Sequence, residues 1–400
     1  MSFCGISVRK IINQLVMYHF VFKKEADHKP SKLPGPFPIP IFGNLFQIGE
    51  DLVAAVDKFH EKYGDLYEFY VGNKRNVVIS RPDLAEKVWG ATTVKNTKFI
   101  MRTSYSEGVD ELGLGTDIVV TTATGKKSEI KGTWENGLIF TESIYIYNES
   151  MMFMMLLPPF IRRNIPATIL NLLITTNTER DLEKITVGKF DRPLTDDEIS
   201  SILREVFTGG LDTTSNTLSF VTFYIAKNRD VYLKMRDEVL KVYGTLENPD
   251  ITLESFDKLK YIEAVINESI RIFPTLSFMA RAAIEDVEFD GYVIKADTTV
   301  YTNLKVLSNN PKYFKDPEIF NPDRFLNDKN SMEKYTFLPF GYGARMCPGR
   351  IWAMVQMKTF LVKFVSTFDI ELVDKDSNIK YKYATANRPV NVDLYIKTRK

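Results

Sequence analysis

The run F-G-Y-G-A-R-M-C-P-G-R, from Phe340 to Arg350, constrains this chain more than any other segment. It contains Cys347, one of two cysteines in 400 residues, and the other cysteine, Cys4, lies at the extreme N-terminus. Glycines on both sides of Cys347 allow backbone angles and close approaches that other residues do not. The apolar stretch that follows, without proline or glycine, is typical of a buried helix. Cys347 is therefore predicted at a helix N-terminus, where the helix dipole favours a thiolate that can ligate a metal cofactor.

The spacing of this run resembles the haem-binding signature of the cytochrome P-450 family. The matching residues are Phe340, Gly343, Arg345, Cys347 and Gly349. The resemblance implies a haem b cofactor (iron protoporphyrin IX), with the Cys347 sulfur as the axial ligand of the iron. It implies further that Phe340 shields the sulfur from water and that Arg345 pairs with an anionic group of the cofactor. An inert buried cysteine after a glycine-rich turn is the alternative for a lone cysteine.

A second segment, Tyr261–Pro274, is typical of an amphipathic helix that ends at a proline. Glu268 and Arg271 are three residues apart, so they share one face of this helix and can form an ion pair. An exposed pair would contribute little to stability, but apolar neighbours predict burial and hence a need for a further partner. The pair matches the family's E-x-x-R pattern. The resemblance makes Arg324, in N-P-D-R-F, the third member of a set that locks the loop before the haem cysteine.

The segment Gly209–Thr214 places two glycines and two threonines inside an otherwise apolar, helical stretch. Such residues are poor helix formers and predict a local distortion kept for function. The segment resembles the family's Ala/Gly-Gly-x-Asp/Glu-Thr-Thr motif, which implies that Thr213 hydrogen-bonds dioxygen and that Asp212 helps to relay protons. The alternative is a helix N-cap at Asp-Thr-Thr, although Thr195 and Glu198 already form a complete capping box upstream.

Other parts of the chain fit the same family. Arg281 matches a position that often contacts a haem propionate, and residues 274–280 correspond to a stretch that lines the substrate pocket. The dipeptide Asp290-Gly291 between apolar residues indicates a β-hairpin. The resemblance implies a mainly α fold with a small β part (α+β), the cytochrome P-450 fold. From residue 113 to residue 171 no family segment aligns, and the chain is shortened between its first sheet and its central helix.

The chain is expected to consist of an N-terminal anchor or targeting segment at residues 1–32, a proline-rich hinge at 33–44 and a haem-thiolate catalytic domain at 45–400. The early apolar stretch Ile11–Phe22 is shorter than the roughly 20 apolar residues that span a membrane. With its basic flanks it fits a short anchor in the endoplasmic reticulum membrane, which is the favoured reading. A mitochondrial presequence is the alternative.

Composition excludes several classes of protein. Three histidines, all early in the chain, exclude histidine-based triads, and two cysteines exclude a disulfide framework or a zinc cluster. A formal net charge of +1 without a basic cluster argues against nucleic acid as a partner. The chain carries no dinucleotide fingerprint, so electrons must come from another protein. Arg350, Lys358 and Lys363 are expected to present a basic face to an acidic donor.

These features predict a haem-dependent monooxygenase that inserts one atom of dioxygen into a lipophilic organic substrate. An NADPH-dependent reductase or a ferredoxin-type protein would deliver the electrons, and a membrane surface is expected as a further partner. Two alternatives stay open. One is a degenerate, non-catalytic relative with impaired haem binding, and the other is a haem-thiolate isomerase or dehydratase that needs no electron input.

Overall fold

The computed structural model describes residues 33–39, 42–49, 51–72, 74–91, 98–100, 196–326, 332–343, 346–383 and 386–399. Four features discussed above lie outside these residues: the N-terminal segment 1–32, the unaligned region 113–171, Thr195 and Arg345. The described residues form two compact units. The first contains the described residues up to 100 together with 267–348 and 381–388, and the second contains 196–266, 349–380 and 389–399.

Among the described residues, more residues lie in α-helices than in strands. The α-helices are α1 (Leu45–Ile48), α2 (Leu52–Tyr63), α3 (Pro82–Trp89), α4 (Asp196–Lys227), α5 (Arg229–Tyr243), α6 (Lys260–Ile272), α7 (Leu304–Asn309) and α8 (Arg350–Thr367). The strands are β1 (Leu66–Val71), β2 (Lys74–Ile79), β3 (Phe99–Ile100), β4 (Phe278–Ala283), β5 (Val287–Phe289), β6 (Tyr292–Ile294), β7 (Thr299–Asn303), β8 (Phe368–Leu372), β9 (Tyr381–Tyr383), β10 (Asn387–Pro389) and β11 (Leu394–Thr398). Short 3₁₀ helices span Leu253–Lys258 and Pro322–Phe325. This combination confirms the predicted mainly α class with a small β part.

A five-stranded sheet forms the centre of the first unit, with the strand order β1-β2-β7-β4-β3. β2 and β7 are parallel, whereas the other neighbours are antiparallel. The predicted hairpin is confirmed, because β5 and β6 pair across Asp290 and Gly291, which adopt φ of 50° and 80°. Both residues therefore have the positive φ that a type I′ hairpin turn requires.

Helix α3 packs on this sheet and ends beside Gly343, in the loop that contains Cys347. Pro82 begins it, because proline at the first helical position leaves no backbone donor unpaired. Leu84, Val88 and Trp89 recur on one face of the helix and are buried in the same apolar cluster as β2 and β7. Gly90 follows as the C-cap. This spacing of apolar residues places Trp89, the last residue of α3, in the buried apolar cluster.

In the second unit, α4 and α5 pack against α8, which is apolar on most of its circumference. The fully buried Tyr232 of α5 shares its one hydroxyl hydrogen between the carbonyl oxygens of Val365 and Phe368, at the C-terminal end of α8. Strand β8 follows α8 directly and pairs with β11. Within the part of the chain that the structure describes, no helix has both the length and the apolar character that crossing a bilayer requires.

The prediction that Lys358 contributes to a basic face on α8 is wrong. Its side chain is 6% exposed, and its ammonium donates to Glu263 at 2.7 Å and to the Phe256 carbonyl oxygen at 2.9 Å. A buried lysine needs such partners to offset the loss of its hydration. Arg350 is exposed and Lys363 is half-buried, so only these two of the three cations have access to solvent.

Candidate functional site

Cys347 lies in a loop that its own backbone ties back to Phe340; residues 340–347 are called the thiol loop below. The Cys347 N–H donates to the Phe340 carbonyl oxygen at 2.8 Å, and the Met346 N–H donates to the Gly343 carbonyl oxygen at 3.1 Å. Gly341 and Gly343 have φ of 75° and 69°, in the left-handed region that favours glycine. The thiol of Cys347 is free and exposed, so the loop presents an accessible sulfur on a fixed backbone. This exposure contradicts the alternative of an inert buried cysteine.

Gly343 lies against the end of α3. A Cβ atom built on Gly343 would lie 2.5 Å from the carbonyl oxygens of both Trp89 and Ala91. Any other residue would push the loop away from the helix end, so glycine is required here for close approach as well as for φ. Downstream, Gly349 is the N-cap of α8, so Cys347 precedes the helix by three residues, as predicted.

Arg281 projects from β4 in the first unit and is 8% exposed. Its guanidinium carbon lies 4.0 Å from the centroid of the Trp89 ring, and its Nη1 donates to the Ala280 carbonyl oxygen at 2.8 Å. The indole N–H of Trp89 donates to Thr302 Oγ1 on β7 at 3.0 Å. Sequence analysis missed Trp89, because no motif links the end of α3 to a strand that follows it so much later in the chain.

Glu268 is the centre of a buried ion-pair cluster. Arg271 donates to it through Nε at 2.7 Å and through Nη2 at 2.9 Å, a two-point contact between guanidinium and carboxylate. Arg324 donates through Nε at 3.0 Å, and the Asn321 backbone N–H donates to the same carboxylate oxygen at 2.9 Å. The side chains of Glu268 and Arg271 are fully buried. These donors offset the desolvation that would otherwise make a buried carboxylate costly.

The two arginines of this cluster also bind backbone carbonyls. Arg271 donates to the carbonyl oxygens of Ser308 at 3.0 Å and Pro317 at 2.7 Å. Arg324 donates to the Lys315 carbonyl oxygen at 3.0 Å. The structure therefore brings together the three residues that the sequence singled out, and the cluster fixes the chain segment 308–324 upstream of the thiol loop.

The glycine–threonine segment, Gly209–Thr214, lies inside α4, which is one uninterrupted α-helix. The N-cap alternative is therefore wrong, and the expected distortion does not break the helix. Thr213 Oγ1 donates to the Gly209 carbonyl oxygen at 2.7 Å, and Asp212 Oδ1 accepts from Asn216 Nδ2 at 3.2 Å. Among the described residues, nothing lies within 4 Å of a Cβ built on Gly209 or Gly210.

The predicted site residues divide between the two units. The first unit contains Phe340, Gly343, Cys347, Arg281, Glu268, Arg271 and Arg324, and the second contains Asp212, Thr213 and Gly349.

The side chains of the first unit fit a haem held by a thiolate. They supply a free exposed thiol, a loop that only glycine allows to close on α3, and a buried cation stacked on an aromatic ring. Among the described residues, no group of histidine, cysteine and carboxylate side chains could hold a metal ion on its own. A single cysteine ligand suits a cofactor that brings its own metal and most of the coordination sphere.

The cytochrome P-450 family model matches residues 33–128 and 162–393. The chain belongs to the cytochrome P-450 family. This confirms the predicted family and fold, and a haem is the cofactor of that family. The region predicted not to align, residues 113–171, is too wide, because the family model matches residues 113–128 and 162–171 and is interrupted only at 129–161.

Individual relatives come from animals and plants. Cytochrome P-450 3A18 from Rattus norvegicus is 24% identical, and the alignment covers 89% of each chain. Tabersonine 16-hydroxylase 2 from Catharanthus roseus is 32% identical over 51% of this chain and 40% of that protein. Cytochrome P-450 3A19 from Capra hircus aegagrus is 35% identical over 44% of this chain and 80% of that protein. The chain thus spans less than half of the hydroxylase that it matches.

Proposed function

We propose that this protein is a haem-dependent monooxygenase that inserts one atom of dioxygen into a lipophilic organic substrate. The observation that carries the proposal is the free, exposed thiol of Cys347 on a loop whose backbone is fixed at Phe340 and at Gly343. Cys347 would hold haem b through its thiolate. Residues 45–400 would form the catalytic domain.

The bound haem supplies dioxygen activation, and electron donation from a thiolate ligand favours cleavage of the O–O bond. The chain's own residues bind and orient it. Phe340 is half-buried and would exclude water from one side of the sulfur. Arg281 offers a guanidinium to a propionate, and Arg345 would provide a second cation from the thiol loop. The cluster of Glu268, Arg271 and Arg324 holds the preceding segment in place.

Thr213 and Asp212 are proposed to deliver protons. The Thr213 hydroxyl now donates to the Gly209 carbonyl oxygen at 2.7 Å, and its own oxygen keeps lone pairs that can accept a hydrogen bond. Turning the hydroxyl hydrogen away from that carbonyl makes it available at Oγ1 to a reacting oxygen. The half-buried Asp212 carboxylate is one residue away and would pass on the replacement proton.

An NADPH-dependent reductase or a ferredoxin-type protein is the proposed electron donor. With Lys358 buried, Arg350 and Lys363 are the α8 cations that remain for an acidic partner. One relative is named as a hydroxylase of tabersonine. From this name we infer only the class of reaction for this chain, and the proposed substrate is no more specific than a lipophilic organic molecule.

Residues 1–32 are proposed to attach the protein to a membrane, that of the endoplasmic reticulum, with a mitochondrial presequence as the alternative. Carbonate extraction of membranes from cells expressing the full chain tests this proposal. Retention in the endoplasmic reticulum fraction supports an anchor. Recovery of a shortened chain from mitochondria supports a presequence, and release of the full-length, uncleaved chain contradicts both.

The test of the function follows the oxygen atom. The full chain, supplied with a reductase and NADPH, would be incubated with lauric acid, testosterone or tabersonine under isotopically labelled dioxygen. We expect substrate-dependent NADPH consumption and one labelled oxygen in the product of at least one of them. Cys347→Ser should lose both, while Cys4→Ser, the matched control at the other cysteine, should keep both.

Two other outcomes point to the competing functions. A product without label or NADPH consumption would favour a haem-thiolate isomerase or dehydratase. A full chain that retains no haem would favour a degenerate, non-catalytic relative.

A further inference from the structure

We propose that Trp89 is a positioning residue for the cofactor, and that the turn at the end of α3, residues 89–91, sets the separation between Arg281 and the thiol loop. This inference rests on the proposed haem-thiolate function and adds to it a residue that no motif in the chain identifies. Three sets of contacts, all within the first unit, carry it.

The first contact is the stack of Arg281 on Trp89. The guanidinium carbon lies 4.0 Å from the ring centroid, and the two residues are 8% and 3% exposed. A cation on an aromatic face interacts more strongly when both are removed from water. Because the guanidinium carbon lies this close over the indole, the ring limits the directions in which the planar group can point its N–H donors. Trp89 therefore decides where Arg281 can offer hydrogen bonds to an anionic group.

The second contact fixes the indole itself. Trp89 Nε1 donates to Thr302 Oγ1 at 3.0 Å, and Thr302 is fully buried on β7. β7 is the direct neighbour of β4, where Arg281 lies opposite Val300. The ring is thus tied to the strand next to the one that carries the guanidinium, so the stack cannot slide without breaking a buried hydrogen bond.

The third set of contacts joins the same turn to the thiol loop. The carbonyl oxygens of Trp89 and Ala91 approach Gly343 so closely that a Cβ there would lie 2.5 Å from each. Beside them, a Cβ on Gly90 would lie 3.2 Å from the Tyr335 hydroxyl oxygen. The Tyr335 ring in turn packs against Tyr342 of the thiol loop, with ring centroids 5.0 Å apart.

One short turn therefore touches the side chain that would bind a propionate and the loop that would hold the iron. A haem held through its iron by Cys347 and through a propionate by Arg281 requires a fixed distance between these two side chains. We infer that a change at Trp89 alters Arg281 first and leaves the thiolate in place.

The test uses the holoprotein and two readouts other than turnover: the rate of haem transfer to excess apomyoglobin, and the midpoint reduction potential of the haem. The variants are Trp89→Leu, which removes the aromatic face, and Trp89→Phe, which keeps it. Thr302→Val removes only the tether of the indole. Each would be made alone and in an Arg281→Leu background.

We expect Trp89→Leu to accelerate haem release by roughly 3- to 30-fold, the range from an exposed to a desolvated cation–π contact, and Trp89→Phe to do so by less. Arg281→Leu should shift the potential negative, because a cation near the haem favours the reduced form, and Trp89→Leu should shift it in the same direction. In the Arg281→Leu background, neither Trp89→Leu nor Thr302→Val should change either readout further.

Additive effects of Trp89→Leu and Arg281→Leu would overturn the proposal, because a purely structural role would weaken haem binding in both backgrounds. Unchanged haem release in Trp89→Leu would overturn it as well. If Trp89→Leu does not fold, Trp89→Phe and Thr302→Val complete the same cycle. The wild-type spectrum of the reduced carbon monoxide complex separates the two levels of inference: without a thiolate-type band the proposed function fails, whereas a thiolate band with an additive cycle removes only the role of Trp89.

Discussion

The thiol loop and the glycine–threonine segment differ in the contacts that define them. The thiol loop closes on itself through the Cys347–Phe340 hydrogen bond and meets the end of α3 at Gly343, far away in the sequence. In the glycine–threonine segment, Thr213 and Asp212 hydrogen-bond to groups one turn away in the same helix. These contacts of the thiol loop join distant parts of the chain, whereas these two contacts of the glycine–threonine segment are local.

This difference indicates how each region tolerates change. A loop that depends on long-range contacts loses its shape when one contact partner is altered. A helical segment that depends on its own backbone keeps its shape, so substitutions there should change chemistry before they change stability. Three predictions test this contrast in order of decreasing effect, and a fourth, smaller one tests the pH dependence of stability.

The largest effect is expected for Glu268→Gln. The substitution removes a buried charge from between Arg271 and Arg324 and leaves two cations uncompensated. Breaking a buried ion pair by removing one partner costs about 3–5 kcal/mol, so we expect a loss of this size in the free energy of unfolding and poor haem incorporation. Urea unfolding measures the first and the haem-to-protein ratio the second. Glu254→Gln, at an exposed carboxylate, is the control and should change stability by less than about 0.5 kcal/mol.

A glycine pair compares the two regions directly. Gly343→Ala places a Cβ 2.5 Å from two carbonyl oxygens at a φ of 69°, so the thiol loop must move and the protein should lose at least about 1–2 kcal/mol of stability and its thiolate-type spectrum. Within the part of the chain that the structure describes, a Cβ at Gly210 meets no neighbour, so Gly210→Ala in a helix should stabilise the protein by roughly 0.5–1 kcal/mol. Thermal unfolding of both variants checks the signs. Equal destabilisation by both would contradict the contrast.

Thr213→Val should separate chemistry from stability. It removes the hydroxyl that donates to Gly209 and keeps the side-chain shape, so the free energy of unfolding should change by about 1 kcal/mol or less. Product formed per NADPH consumed should fall by at least roughly tenfold, because positioned proton transfer contributes about 10²–10⁴-fold. Thr222→Val, which removes the same kind of intrahelical hydrogen bond, is the control and should keep its coupling. The same amount of product per NADPH consumed in both variants would contradict a role of Thr213 in proton delivery.

The smallest effect concerns pH and Glu238 of α5, which accepts the Tyr261 and Ile262 N–H groups at the start of α6. Burial raises the pKa of Glu238 above its usual value of 4.5, against the lowering effect of these hydrogen bonds. Between 4.5 and the folded-state pKa, the folded protein holds a proton that the unfolded chain has lost, so stability falls as pH rises through this window.

Glu238→Gln does not titrate and should lack this step. Urea unfolding between about pH 4 and pH 7 measures the difference in stability between wild type and variant. As pH rises, we expect the variant to become more stable relative to wild type. A decrease in its relative stability would contradict the raised pKa of Glu238.

Motif spacing was sufficient for the parts of the site that depend on residue type at fixed intervals. Glu268 and Arg271 had to share a helix face, and the structure places Arg324 against Glu268, as the family pattern implied. The glycines around Cys347 predicted a loop with positive φ before a helix, and Gly341 and Gly343 have it. In each case the local chemistry permits few other structures.

Contacts between distant elements were not predictable in this way. Trp89 reaches Arg281 only because α3 and β4 pack together, and no sequence interval encodes that contact. Lys358 was misassigned because α8 is apolar on most of its circumference, so its buried and exposed faces cannot be told apart by periodicity. The glycine–threonine segment was expected to distort α4, but hydrogen bonds from threonine side chains to the preceding turn are compatible with a continuous helix.

The Cys347 thiolate is proposed to hold a haem, and the decisive experiment is the difference spectrum of the reduced full chain with and without carbon monoxide. We predict a strongly red-shifted Soret band in the wild type and in Cys4→Ser, and its loss in Cys347→Ser. A band typical of a neutral or histidine ligand in the wild type, or a thiolate-type band that survives in Cys347→Ser, would contradict the account.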